Sequence, residues 1–238
     1  MIRHRGPDQF GMFLDEHAAL GNARLSIVDL AGGQQPISTQ DGRYWIVYNG
    51  EIFNHDELRE ELRAKGHIFA TLSDTEVVLR LYAEEGPSSL KKFNGQFALA
   101  IWDRESRSLF IARDRLGIRP LFFKRDSDEF IFASEIKALV PHGTISLEIE
   151  PKALDQTFSY WSCQSPLSPF RGIEQLLPGH YGILKDQGLS IHSYWQPQID
   201  GSGRDTRGED ELIEELDFLL KDAIRLRLLA DVPVGSYL

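Results

Sequence analysis

The sequence predicts an α+β fold, a layer of helices on a mainly antiparallel sheet. Two observations carry this expectation. Strand-like runs recur at 44–48, 97–102, 109–112, 121–123 and 130–133, several of them aromatic or β-branched and bounded by turn residues. Two helical segments lie between the first and second of these runs, and no internal repeat or low-complexity tract interrupts the order.

The first run leads into Asn49-Gly50, the dipeptide of the commonest hairpin turn. The first helix is predicted to open at Asn54, with Glu57 three residues on as a capping pattern. It carries Leu58 and Leu62 on one face and stops at Gly66. The second begins at Ser73 or Asp74, buries Val77, Val78 and Leu81, and halts at Gly86-Pro87. Residues 196–208, with Pro197, Gly201, Ser202, Gly203 and Gly208, read as an interdomain linker. After it Leu212, Leu216, Leu219, Ala223 and Leu226 recur at helical spacing, so 209–229 is predicted to be a helix in need of a partner surface.

A chain of 238 residues holds one large domain, or one domain and part of another. Its 36 acidic and 26 basic residues give a formal charge of −10, which argues against nucleic acid or an anionic membrane as partner. A single cysteine rules out an intramolecular disulfide, and no apolar run approaches the ~18 residues of a membrane span. A cytoplasmic protein is the default expectation.

The chemistry concentrates in Tyr48-Asn49-Gly50-Glu51-Ile52-Phe53-Asn54, where an amide, a glycine and a carboxylate follow one another. Such groups can hold a small amino acid and stabilise an oxyanion. Four more blocks surround it: His4-Arg5-Gly6-Pro7-Asp8, Arg24-Leu25-Ser26-Ile27-Val28-Asp29, Ser73-Asp74-Thr75-Glu76, and Arg113-Asp114-Arg115-Leu116-Gly117-Ile118-Arg119-Pro120-Leu121. Arg24 is a natural carboxylate clamp, since a guanidinium donates two parallel hydrogen bonds. It could equally be a strand-start arginine paired with Asp29 or Glu51. Asn49-Gly50 could be a tight turn, and Asp74 a helix N-cap.

In these blocks the chain resembles the class II glutamine amidotransferase domain, most closely that of glutamine-hydrolysing asparagine synthetases. The resemblance implies the four-layer αββα sandwich of N-terminal nucleophile hydrolases over 1–195. The start of an α/β ATP-pyrophosphatase-type domain would follow at 209–238, where Ala230-Asp231-Val232-Pro233-Val234-Gly235 looks like the lead-in to an ATP-binding loop and Leu238 the edge of that site. It assigns Arg24 to the glutamine α-carboxylate, and Asp74, with Glu51 as second candidate, to the α-ammonium. The Asn49 side-chain N–H and the Gly50 backbone N–H would form the oxyanion hole. Leu25, Ser26, Ile27 and Val28 would shape the pocket. The His4 and Arg113 blocks are read as structured turns, the first with Arg5 and Asp8 bracing the site.

The same resemblance places the nucleophile on an N-terminal cysteine, whose own α-amine serves as general base. Here the chain opens Met1-Ile2-Arg3, and its one thiol, Cys163, is internal and expected to be structural. The chain is therefore expected to be a fragment lacking both the nucleophile and the synthetase domain, and inactive as a glutaminase. The parent enzyme would use Mg and ATP to convert aspartate to aspartyl-AMP and then to asparagine, with none of these bound by the glutaminase portion, and a homodimer is expected. The alternatives are amidation of another carboxylate, or a non-catalytic glutamine-binding or docking protein.

Overall fold

Period-two alternation organises the core, as the strand runs require. The computed structural model describes residues 1–186, 188–199 and 207–236. After a 3₁₀ turn at Arg3–Arg5 come β1 (Gln9–Leu14), β2 (Ala19–Arg24), β3 (Ile37–Ser38) and β4 (Tyr44–Ile52). Helices α1 (His55–Ala64) and α2 (Asp74–Glu85) follow, then β5 (Gly95–Asp103), β6 (Ser108–Arg113), β7 (Phe122–Arg125) and β8 (Phe130–Ala133). The remainder is α3 (Pro151–Tyr160), β9 (Glu174–Gln175), β10 (His180–Lys185), β11 (Gly188–Ser193) and α4 (Glu209–Arg227).

Among the described residues the central sheet has the order β11-β10-β6-β5-β4-β3, with every neighbour antiparallel. One face presents Ile46, Tyr48, Phe97, Leu99, Ile101 and Phe110 to the apolar sides of α1 (Leu58, Leu62) and α2 (Val77, Val78, Leu81). The residues between them, Val47, Ala98, Ala100, Trp102, Leu109 and Ile111, face the other way. There they meet Phe13 and Leu20 of the β1-β2 hairpin and Leu121, Phe123 and Leu176 around the small β8-β7-β9 sheet. A helix layer, a central sheet and a second sheet layer are thus stacked on two apolar interfaces.

Both expected helices form, with differences at their starts. Ser73 caps α2, accepting the Thr75 N–H at 3.2 Å. Asn54 precedes α1 but makes no side-chain cap. Its amide instead bridges to the β5 approach, donating to the Lys92 carbonyl and accepting the Asn94 N–H, each at 3.0 Å. A larger departure lies at Asn49-Gly50. The tight turn left open as an alternative for this dipeptide does not form, because β4 runs on through both residues to Ile52 and pairs with β5 along its whole length.

The helix after residue 208 spans Glu209–Arg227. Its predicted stripe divides: Leu212, Ala223 and Leu226 are half-buried, while Leu216 and Leu219 are exposed. Most of the expected linker, residues 200–206, and Leu238 lie outside the described residues, so the ATP-site assignment of Leu238 has no structural counterpart here. No described helix is long and apolar enough to cross a membrane.

Candidate active site

β3 pairs with β4 only at Trp45 and Ile46, so beyond them one edge of β4 is open. Antiparallel strands alternate between residues that bond across the pair and residues that bond outward. Phe97, opposite Gly50, gives its N–H to Asp114 Oδ2 at 3.2 Å and accepts the Asp114 N–H at 2.8 Å, both on the β6 side. Alternation then turns the N–H groups of Tyr48, Gly50 and Ile52 toward the open edge. Tyr48 N–H donates to Gln35 Oε1 at 2.7 Å and Ile52 N–H to Asp74 Oδ2 at 3.1 Å. The Gly50 N–H between them has no such acceptor among the described residues.

A cavity of about 830 Å³ opens on this edge, lined among others by Arg24, Asn49, Gly50, Glu51, Asp74 and Arg119. The Asn49 amide donates only a long bond, 3.4 Å, to Ser134 Oγ in the loop after β8. Asn49 and Glu51 are two apart on one strand and so share a face. The site thus holds two amide N–H donors with little competing protein acceptor, an arrangement able to accept developing negative charge on an oxygen.

Asp74 is 6% exposed at the first turn of α2, where the helix N-terminus favours a carboxylate. Burial pushes its carboxyl up, opposed by the bond from the Ile52 N–H and by His55. The Tyr48 hydroxyl is buried nearby without a well-formed hydrogen bond, and burial, then the charge of Asp74, holds it well above the tyrosine range. Glu51 is half-buried and leaves Oε1 without a partner. Burial first, then the Asp74 charge, raise it to about 7, with Arg119 and Arg227 pulling the other way. Two carboxylates on the wall of one cavity, one of them with an unpartnered oxygen, are a ready site for a cation.

A pH dependence follows from Glu51. The folded protein holds this proton up to about pH 7, whereas an unfolded chain releases it near 4.5. Across that window the unfolded state binds fewer protons, so stability falls as pH rises. Glu51→Gln is expected to raise Tm at pH 8 and leave it nearly unchanged at pH 4. A melt at both values decides this, and equal shifts would remove Glu51 as the titrating group.

Arg24 lines the cavity, but its guanidinium is largely engaged. Nη1 donates to Gln9 Oε1 at 2.7 Å, and Nη2 to the carbonyls of Val28 at 2.6 Å and Asp29 at 3.0 Å. Neither the Asp29 nor the Glu51 carboxylate forms an ion pair with it: the Asp29 carboxylate accepts the N–H groups of Gly32 and Leu72, each at 2.8 Å. Burial pushes Arg24 below the usual arginine range. Leu25, Ile27 and Val28 line the cavity with it, whereas Ser26 does not; its N–H goes to Asp8 Oδ2 at 2.8 Å. Arg5 also lines the cavity and pairs with Glu135 at 3.1 Å.

The Arg113 block forms a turn built on Asp114, whose carboxylate accepts the N–H groups of Phe97, Leu116, Ile118 and Arg119. That turn also carries Arg119 to the cavity wall, a placement its sequence did not disclose. Gln35 and Ser134 were likewise not read as site residues. Gln35 links β4, Asn22 and Thr75 through one buried amide. Cys163 is not among the cavity-lining residues, and burial pushes its thiol up, away from the reactive thiolate.

Residues 1–195 match the family described as the glutamine amidotransferase domain. Asparagine synthetase (glutamine-hydrolysing) 3 of Bacillus subtilis is 38% identical over 240 residues, covering 100% of this chain and 39% of that protein. Asparagine synthetase (glutamine-hydrolysing) 1 of the same organism is 39% identical over 239 residues, covering 100% of this chain and 37% of its own length. The chain thus spans about two fifths of these curated relatives. Among solved structures, the glutamine phosphoribosylpyrophosphate amidotransferase of B. subtilis, complexed with ADP and GMP, aligns with TM-score 0.55 and 23% identity over 75% of this chain and 35% of its own, a likeness of fold. The fold is of the N-terminal nucleophile hydrolase type, and the chain belongs to the class II glutamine amidotransferases.

Proposed function

We propose that this chain is the glutamine-binding portion of an ATP-dependent amidotransferase that supplies ammonia to a carboxylate acceptor, aspartate in the asparagine-forming case. The observation that supports it most is that buried Asp74 and half-buried Glu51, with its orphan oxygen, line one cavity with the Asn49 amide and the unpartnered Gly50 N–H. Glutamine would place its α-ammonium between the two carboxylates and its α-carboxylate toward Arg24. The side-chain amide oxygen would then face the donors of Asn49 and Gly50. In that pose charge gathering on the amide oxygen is met by donors already in place.

The proposal extends to a four-layer sandwich over 1–195 and to 209–238 as the start of the ATP-using domain, in a cytoplasmic enzyme that forms homodimers. Aspartyl-AMP formation with Mg-ATP belongs to that further domain. Among the described residues no group of three or more His, Cys, Asp or Glu side chains is placed to hold a metal ion, so this chemistry rests on the relatives and on no described residue.

No thiol lines the cavity, so the chain by itself is expected to bind glutamine and not to turn it over. Titration calorimetry with glutamine and a glutamate-release assay on the same sample test both halves. Saturable binding with glutamate release at the buffer rate is the expected result. Absence of binding would overturn the reading of the cavity, and steady glutamate release would overturn the assignment of the chain as catalytically silent.

A further inference from the structure

Past the end of α4, the chain returns to the wall of the cavity. Asp231 Oδ2 accepts the Asp29 N–H at 2.7 Å, and the Asp231 N–H donates to the Ile27 carbonyl at 3.0 Å. The Asp29 N–H belongs to the same peptide group as the Val28 carbonyl, and that carbonyl accepts Arg24 Nη2 at 2.6 Å. A peptide group is planar, so a carboxylate on its N–H end and a guanidinium on its C=O end fix one plane from both sides and polarise it in one direction. Asp29 extends the link: its carboxylate takes the N–H of Leu72, one residue before the Ser73 cap that starts α2 at Asp74. One turn earlier, the Arg227 guanidinium lies 4.8 Å from the centre of the Phe53 ring, at the end of β4.

We propose that Asp231 is a positioning residue for the glutamine pocket, acting through the Val28–Asp29 peptide to orient Arg24, and that the segment after α4 thereby couples the pocket to whatever moves that segment. This rests on the reading of the cavity as a glutamine site. Coupling through such a link is reciprocal: anything that draws Asp231 away weakens glutamine, and glutamine holds Asp231 in place. Asp231 is separated from Asp29 by 202 positions and is exposed, so its loss removes the latch without opening the core.

The test compares Asp231→Ala and Asp231→Asn with the unaltered chain. The alanine variant is expected to bind glutamine roughly 3- to 10-fold more weakly, the span of one hydrogen bond. Amide exchange at 27–33 should be faster in it, with an unchanged Tm. The asparagine variant keeps an acceptor for the Asp29 N–H and is expected to restore most of both. Equal affinity and equal exchange at 27–33 in the alanine variant would overturn the latch. Exchange without ligand reads the latch alone: faster exchange in a chain that never binds glutamine would refute the pocket assignment and keep the contact.

Discussion

Gly50→Ala is expected to destabilise the fold by more than about 3 kcal/mol and lower Tm by roughly 6 °C or more. A β-carbon at Gly50 would stand 2.1 Å from the Gln96 carbonyl oxygen and 2.7 Å from the Phe97 Cα. Both are backbone atoms of the paired central strand, so no side-chain rotation relieves the contact. The crowding is mutual, since a β-carbon at Gly95 would meet the Glu51 carbonyl oxygen at 2.3 Å. The two glycines let β4 and β5 approach closely beside the site. Gly50 is not in the left-handed region, so the requirement is one of space and not of positive φ. Gly235→Ala, with nothing within 4 Å of the added carbon, is the control and is expected to leave Tm in place. A Gly50→Ala protein melting within 2 °C of the parent would refute the close-approach argument.

Gly50 also marks where local sequence signals gave way to tertiary structure. Asn-Gly after an apolar run favours a hairpin when nothing else decides, but here β5, some 45 residues on, pairs with all nine residues of β4. Asn54 shows the same override: a cap-capable amide joins two segments instead. The helices were legible because an apolar stripe and a cap are written locally, as Ser73 and Val77, Val78 and Leu81 show. β1 and β2 were not, since Gly11, Ala19, Gly21 and Ala23 weaken the strand signal and only the pairing supplies it. The site divides likewise. Asn49, Gly50 and Glu51 are neighbours in sequence and were readable together, whereas Gln35, Arg119 and Ser134 reach the cavity only through the folding of three separate loops.

Asp74→Asn is expected to weaken glutamine binding roughly 10- to 100-fold, the loss of a charge-assisted bond between a buried carboxylate and an ammonium. The substitution keeps the shape and an oxygen able to accept the Ile52 N–H, now made at 3.1 Å. It removes only the charge. Because burial already disfavours that charge, the asparagine variant should melt no lower than the parent, and relief of repulsion should let Glu51 ionise below its present value of about 7. A helix cap would behave differently: the cap of α2 is Ser73, so a purely structural Asp74 predicts unchanged affinity. Calorimetric affinity and Tm on Asp74→Asn, Glu51→Gln and the double variant separate the cases. If both carboxylates grip one ammonium, the single losses will not add, since each variant leaves the other carboxylate better ionised than before. Affinity within threefold of the parent in Asp74→Asn would assign the ammonium to Glu51 alone, and a matching drop in Tm would make Asp74 a residue of the fold.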